Sequence, residues 1–149
     1  MVVRKDTIGR YISVLYRSAG PYLSKELSRY NIGSGQFTFL IYLYNHDGVT
    51  QEDMNSDLYI DKGTTARAIK KLVDLGYVYR ITDDIDKRAY KVCATDKAKS
   101  IKHEIYRILD RWNEIITADF TSEESDAALI LLQRMVKNKN NFFNKGENQ

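Results

Sequence analysis

A chain of 149 residues with 43% hydrophobic and 29% charged side chains is long enough to bury a core and too apolar to remain disordered. No apolar run approaches the roughly 20 residues that cross a bilayer, and the basic stretch Met1–Arg10 lacks the apolar segment of a secretory leader, so the cytoplasm is expected. A net charge of +3 is too small to announce nucleic acid by itself, and only the placement of charge can carry that meaning.

Cys93 is the only cysteine, which rules out an intramolecular disulfide, and with two scattered histidines, His46 and His103, it makes no zinc-ligand set. Its surroundings, Tyr90-Lys91-Val92-Cys93-Ala94, read as the end of a strand with the thiol as a small buried side chain. A redox-sensing thiol is the alternative. No cofactor or metal is expected.

A single proline and few glycines imply a mostly helical chain. Ile8, Ile12, Leu15, Ala19, Leu23, Leu27 and Tyr30 fall at steps of three and four, one face of a long helix. Gly20-Pro21 lies inside it, where a kink is expected, and Asn31-Ile32-Gly33 stops it. Ser34 reads as the N-cap of a second helix to Tyr44, with Phe37, Leu40, Ile41 and Tyr44 inward. After the turn Asn45-His46-Asp47-Gly48, Thr50 with Asp53 resembles a capping box for a short helix, Gln51–Leu58. Asp61 caps a further helix, Lys62 to about Leu75, which Gly76 ends.

The period then changes. Tyr77–Thr82 and Arg88–Cys93 are rich in β-formers, and the polar run Asp83-Asp84-Ile85-Asp86-Lys87 between them marks a hairpin. Thr95 caps a long helix carrying Ile101, Ile105, Ile108, Leu109, Trp112, Ile115 and Ile116. Thr121 or Ser122 starts a last helix with Leu129, Leu132, Met135 and Val136 on one side. The fold class expected is therefore mainly α with a small β-hairpin. A short helix, a tight turn, a second helix and a hairpin form a winged helix-turn-helix, whose second helix suits the major groove of B-DNA.

Charge is placed accordingly. Lys62–Leu75 turns Thr65, Ile69, Leu72 and Val73 inward and Lys62, Thr64, Arg67, Lys70 and Lys71 outward. From Lys62 to Lys71 there are four basic residues and no acid, whereas Thr50–Lys91 as a whole balances eight of each. A one-sign face repels itself unless something anionic answers it. Lys87 and Arg88, at the far end of the hairpin, are a second basic element, and Arg suits a narrow minor groove. Asp86 is placed to hold the Arg88 guanidinium extended.

Thr50-Gln51-Glu52-Asp53-Met54, Ile60-Asp61-Lys62-Gly63-Thr64-Thr65-Ala66-Arg67, Lys71–Arg80 and Asp83–Ala89 together resemble the MarR family of winged helix-turn-helix transcriptional regulators, over nearly the whole length. The resemblance implies one MarR-like domain, residues 1–149, with a DNA-binding lobe at 34–93 and dimerisation helices at 1–33 and 95–149. It further implies a repressor acting as a homodimer on a pseudo-palindromic operator. Lys62, Gly63, Thr64, Arg67, Lys70 and Lys71 would then enter the major groove, Asp86, Lys87 and Arg88 form the wing, and Thr50 and Gln51 lie at the DNA backbone. Gly63 and Ala66 stand where relatives often carry Ser and Thr, so two hydroxyls are missing from the recognition helix.

Ile105, Trp112, Ile116, Leu132 and Phe142, with Tyr11–Leu15, supply apolar surface for packing between protomers. The family also implies release from DNA by a small phenolic or anionic effector, and Arg17, among Tyr11, Tyr16 and Tyr22, resembles a position that holds one; a surface arginine is the plainer reading. An enzyme is excluded by the want of a Gly-rich phosphate loop, a metal-spaced His and Cys set, or a nucleophile with a partner. The acidic cluster Asp83, Asp84 and Asp86 lacks calcium-loop spacing. A winged helix that docks proteins is the remaining rival, and would show a more apolar exposed face.

Overall fold

Thr7 opens the first helix, its hydroxyl accepting from the Arg10 N–H at 3.2 Å, and α1 runs Ile8–Leu27. Pro21 lies within α1 and leaves the Arg17 carbonyl without its usual i+4 donor, but the helix continues beyond it. A 3-10 turn, Ser28–Tyr30, follows, and Asn31 takes the left-handed conformation (φ 57°) that turns the chain. The apolar stripe of α1 splits in two: Leu23 and Leu27 are buried, whereas Ile8, Tyr11, Ile12 and Leu15 are exposed.

α2 is Ser34–Asn45. Its cap is Gly33, one residue before the expected Ser34; the Gly33 N–H donates to Gln36 Oε1 at 2.9 Å, so the first turn is closed from inside the helix. The expected inward face is also too narrow. Phe39, Leu40, Tyr42 and Leu43 are buried and Phe37, Ile41 and Tyr44 half-buried, because α2 is surrounded on most sides, as a helix apolar around its circumference must be.

β1 is the two-residue strand Val49–Thr50, which the sequence did not reveal. α3 (Gln51–Leu58) and α4 (Lys62–Asp74) follow, then β2 (Val78–Thr82) and β3 (Tyr90–Ala94). The sheet is antiparallel in the order β1-β3-β2, with Val49 opposite Val92 and the hairpin in register from Val78–Ala94 to Thr82–Tyr90. Met54, Ile69, Leu72, Val92, Ala98 and Ile105 pack into one cluster with α2 at its centre, each large apolar side chain contributing about 1.5–3 kcal/mol by burial.

The long helix expected after Thr95 is two. Thr95 caps α5 (Asp96–Ser100), its hydroxyl accepting from the Ala98 N–H at 3.2 Å, and α6 (Lys102–Ile116) starts beyond Ile101. Ala98 in α5 and Ile105 in α6 are both buried in the core. Ile105 is wholly buried there, and its assignment to a face between protomers is corrected: it is already covered by its own chain.

The computed structural model describes residues 6–87 and 89–146. The chain divides into two compact units, Met1–Trp112 and Asn113–Gln149. The second contains α7, Ser122–Gly146, opened by Thr121 and Glu124, which exchange bonds between each other's backbone N–H and side chain at 2.9 and 3.2 Å. Leu129, Ile130, Leu131, Leu132 and Val136 of α7 are all exposed.

Candidate nucleic-acid interface

Two caps fix the helix pair. Thr50 Oγ1 accepts from the Asp53 N–H at 3.1 Å while the Thr50 N–H donates to Asp53 Oδ2 at 3.0 Å, so Asp serves where Glu is usual. Tyr59, left-handed at φ 54°, ends α3 and swings the chain into α4. Asp61 Oδ1 then accepts from the Thr64 N–H at 2.8 Å.

The inward face of α4 is Thr65, Ala68, Ile69 and Leu72, all buried, with Val73 half-buried. Ala68 carries no sequence signal of burial, because its small side chain adds little to an apolar pattern. Gly63, Arg67, Lys70 and Asp74 therefore follow one another along the opposite, exposed face at steps of four, three and four. Lys62 and Lys71 are exposed as well, and Thr64 half-exposed. Lys70 Nζ lies 2.9 Å from Asp74 Oδ2, so the basic stripe has an acid just past its end; an exposed pair of this kind is worth little and separates readily.

The first turn of α4 carries a chain of bonds. Arg67 Nη2 donates to Thr64 Oγ1 at 3.0 Å, and the Thr64 hydroxyl bonds to the Asp61 carboxylate, which together with the Thr64 N–H and the Arg67 charge holds that carboxyl below its usual range.

The hairpin owes its shape to Asp83. Read from sequence as one of three turn acids, it is buried, with Oδ1 accepting from the Ile85 and Asp86 N–H groups at 2.7 and 2.8 Å and Oδ2 3.0 Å from Lys91 Nζ. The signal that could have found it is an Asp two and three residues ahead of N–H groups at a turn. Lys87 is exposed and 3.6 Å from Asp84. Arg88 lies outside the described residues, as does any pairing of it with Asp86. Thr50, Gln51, Asp86, Ala89 and Tyr90 line one groove of about 420 Å3 between α3 and the hairpin, together with Glu52, and Arg80 Nη2 donates to Gln51 Oε1 at 3.1 Å across the same region.

The Asp86 N–H, the Lys91 ammonium and the Ile85 N–H hold the Asp83 carboxyl at about 2, down from 3.8. A carboxyl depressed in the folded state stabilises fully above its unfolded value and loses that contribution as pH falls through the folded one. Amide-exchange protection at Ile85 and Asp86 is therefore expected to persist from neutrality to about pH 4 and to decline towards pH 2, and Asp83→Ala should bring the unprotected state to neutral pH. Full protection in the variant would mean that other bonds hold the loop.

Arg17 and Tyr16 line a separate groove of about 320 Å3 with Leu23, Ser34, Phe37 and Thr38. Tyr11 and Tyr22 do not join them. The Tyr11 hydroxyl donates to Asp6 at 3.0 Å, and Tyr22 packs on Trp112 with ring centres 5.3 Å apart. Cys93 is buried in β3. No helix among the described residues is long and apolar enough to cross a membrane.

The model of the MarR family matches residues 32–90. An HTH-type transcriptional regulator of Bacillus subtilis, YybA, is 30% identical over 89% of this chain and 89% of its own. The crystal structure of a MarR transcriptional regulator from Methanosarcina mazei is 44% identical, with a TM-score of 0.88 over 91% of this chain and 97% of that one. A MarR family regulator from Listeria monocytogenes, crystallised with a 26mer DNA, is 26% identical, with a TM-score of 0.83 over 89% of both.

Proposed function

As the chain belongs to the MarR family of transcriptional regulators, we propose that it binds a pseudo-palindromic operator in double-stranded DNA as a homodimer and represses from it. The family regulates transcription and is not enzymatic. The observation that carries the reading is α4: a helix whose one face is fully buried presents Lys62, Arg67, Lys70 and Lys71 on the other, next to a hairpin with Lys87 exposed. A helix so anchored can enter a major groove as a rigid body, with Lys62, Gly63, Thr64, Arg67, Lys70 and Lys71 facing bases and phosphates. Thr50 and Gln51, beside the wing, meet the backbone, and Asp86, Lys87 and Arg88 approach the minor groove. The DNA complex of the Listeria relative supports the same partner for this chain.

Residues 34–93 act as the DNA-binding lobe, and 1–33 and 95–149 as the helices that pair two copies, within one domain of 149 residues. Two-fold symmetry then matches half-sites about one helical turn apart. Arg17 and Tyr16, open to a groove of about 320 Å3, suit a small aromatic anion. Such an effector shifts the equilibrium only by preferring one spacing of the two lobes. The protein works in the cytoplasm, where its DNA is.

Salt tests the reading. Lys62, Lys71 and Lys87 from two subunits neutralise about six phosphates, which gives a slope of about −5 in log affinity against log salt, or roughly a thousandfold loss between 50 and 200 mM. An affinity that hardly changed over this range would leave a protein-docking winged helix as the better account.

A further inference from the structure

Gly63 is the second residue of α4 and lies on its most exposed line. A Cβ built there would sit 3.3 Å from Asp61 Oδ1, slightly tighter than usual, and 3.4 Å from Arg67 Nη1, at contact, so any side chain at this position borders both partners of Thr64. Its φ is not in the left-handed region, so the backbone does not require glycine. The bare α-carbon instead leaves the space across which Arg67 folds back to reach Thr64.

We propose that Gly63 is a specificity-determining residue: its missing side chain lets Asp61, Thr64 and Arg67 form one hydrogen-bonded unit that presets which base the recognition helix reads. The inference rests on the DNA-binding reading above and assigns the chemistry of that face. The Thr64 hydroxyl accepts from Arg67 Nη2 at 3.0 Å, and its one proton turns to the acceptor beside it, the Asp61 carboxylate that already takes the Thr64 N–H at 2.8 Å. It has no proton left for a base acceptor and presents its methyl and one lone pair. Arg67 uses one N–H of its five on Thr64 and keeps the others for a bidentate approach to O6 and N7 of guanine. A guanidinium already held at one corner loses less freedom on binding than a free one. A serine at this position would place a second hydroxyl between the same partners, compete for Asp61 and Arg67, and release Thr64 to donate.

The test selects bound duplexes from a random pool with wild type, Gly63→Ser and Thr64→Val, and follows the Arg67 Nε–H signal by NMR in the free proteins. Wild type should prefer guanine at the half-site position whose preference Arg67→Ala abolishes, by about tenfold or more. Both variants should reduce that preference severalfold and broaden the Arg67 signal, with far-ultraviolet circular dichroism unchanged. Wild type that selects an operator while Gly63→Ser selects the same bases with the same preference would overturn the inference alone. Wild type that retains no duplex at low salt would overturn the DNA-binding reading and this inference with it.

Discussion

Arg67→Ala is expected to cost about 1–3 kcal/mol of discrimination between operator and random duplex, tenfold to more than a hundredfold, while random binding falls far less. Arg67 stands on the exposed line of α4, one turn from the N-terminus, where a helix lying in the major groove brings its side chains to base edges. The loss should be one of recognition and not of folding. The side chain is exposed, the bond it makes to Thr64 is on the surface, and alanine is the best helix former. Lys87→Ala provides the contrast. Its ammonium is exposed at the hairpin, 3.6 Å from an exposed carboxylate, so it acts as a mobile point charge on phosphate. Its removal should weaken operator and random binding about equally and lower the salt slope by about one unit per subunit. Competition titrations with both duplexes read the two effects separately. If Arg67→Ala kept the operator preference of wild type, α4 would not be the reading helix.

Features of short range were legible in the sequence. Thr50, Asp61 and Thr95 cap helices because a side-chain oxygen beside its own N–H groups needs no distant partner, and all three were recognised from residue type and spacing. The bounds of α3 and α4 followed from them. Gly33 displaced Ser34 as the cap of α2 because the Gln36 side chain supplied the acceptor, a choice between two local solutions that composition does not decide.

What escaped depends on elements far apart in sequence. Val49–Thr50 is a strand only because β3 lies alongside, and two residues have no period to read. The break at Ile101 goes unmarked by proline or glycine; the Ile101 N–H turns back to the Ala98 carbonyl at 3.3 Å, a tighter closing turn that residue type does not announce. At the candidate interface the basic residues were legible by sign and spacing, but their connections were not. By sequence Asp83 is one of three turn acids, yet burial and the Lys91 partner set it apart from Asp84. By sequence Gly63 is a missing hydroxyl, whereas in the structure the space it leaves is bordered by Asp61 and Arg67. Absence of a side chain carries no sign of what fills the gap.

Leu132→Glu is expected to have the largest effect of any exposed substitution on operator binding, although it lies far along the chain from α4. In the second unit, Leu129, Ile130, Leu131 and Leu132 are each about half exposed in succession, so no single face of α7 is left polar there. Helices apolar around most of their circumference are found covered, and a contiguous apolar patch of this kind marks an interface. The first unit has its own exposed stripe, Ile8, Tyr11, Ile12 and Leu15, at steps of three, one and three. On the homodimer reading a partner copy covers these side chains. A carboxylate at position 132 costs the isolated chain little, because leucine there is exposed already, but it would have to be desolvated without a partner in the dimer. Light scattering should then report a monomer at micromolar concentration with its helical circular dichroism intact. The operator should lose the second half-site as an intramolecular contact, which lowers affinity by about 10²–10⁴, while binding to a single half-site stays as in wild type. Ile12→Glu should do the same from the other stripe. If both variants remained dimeric and bound the operator normally, the exposed apolar residues of α1 and α7 would serve another purpose, and the two copies would have to pair through a different surface to reach the two halves of a palindrome.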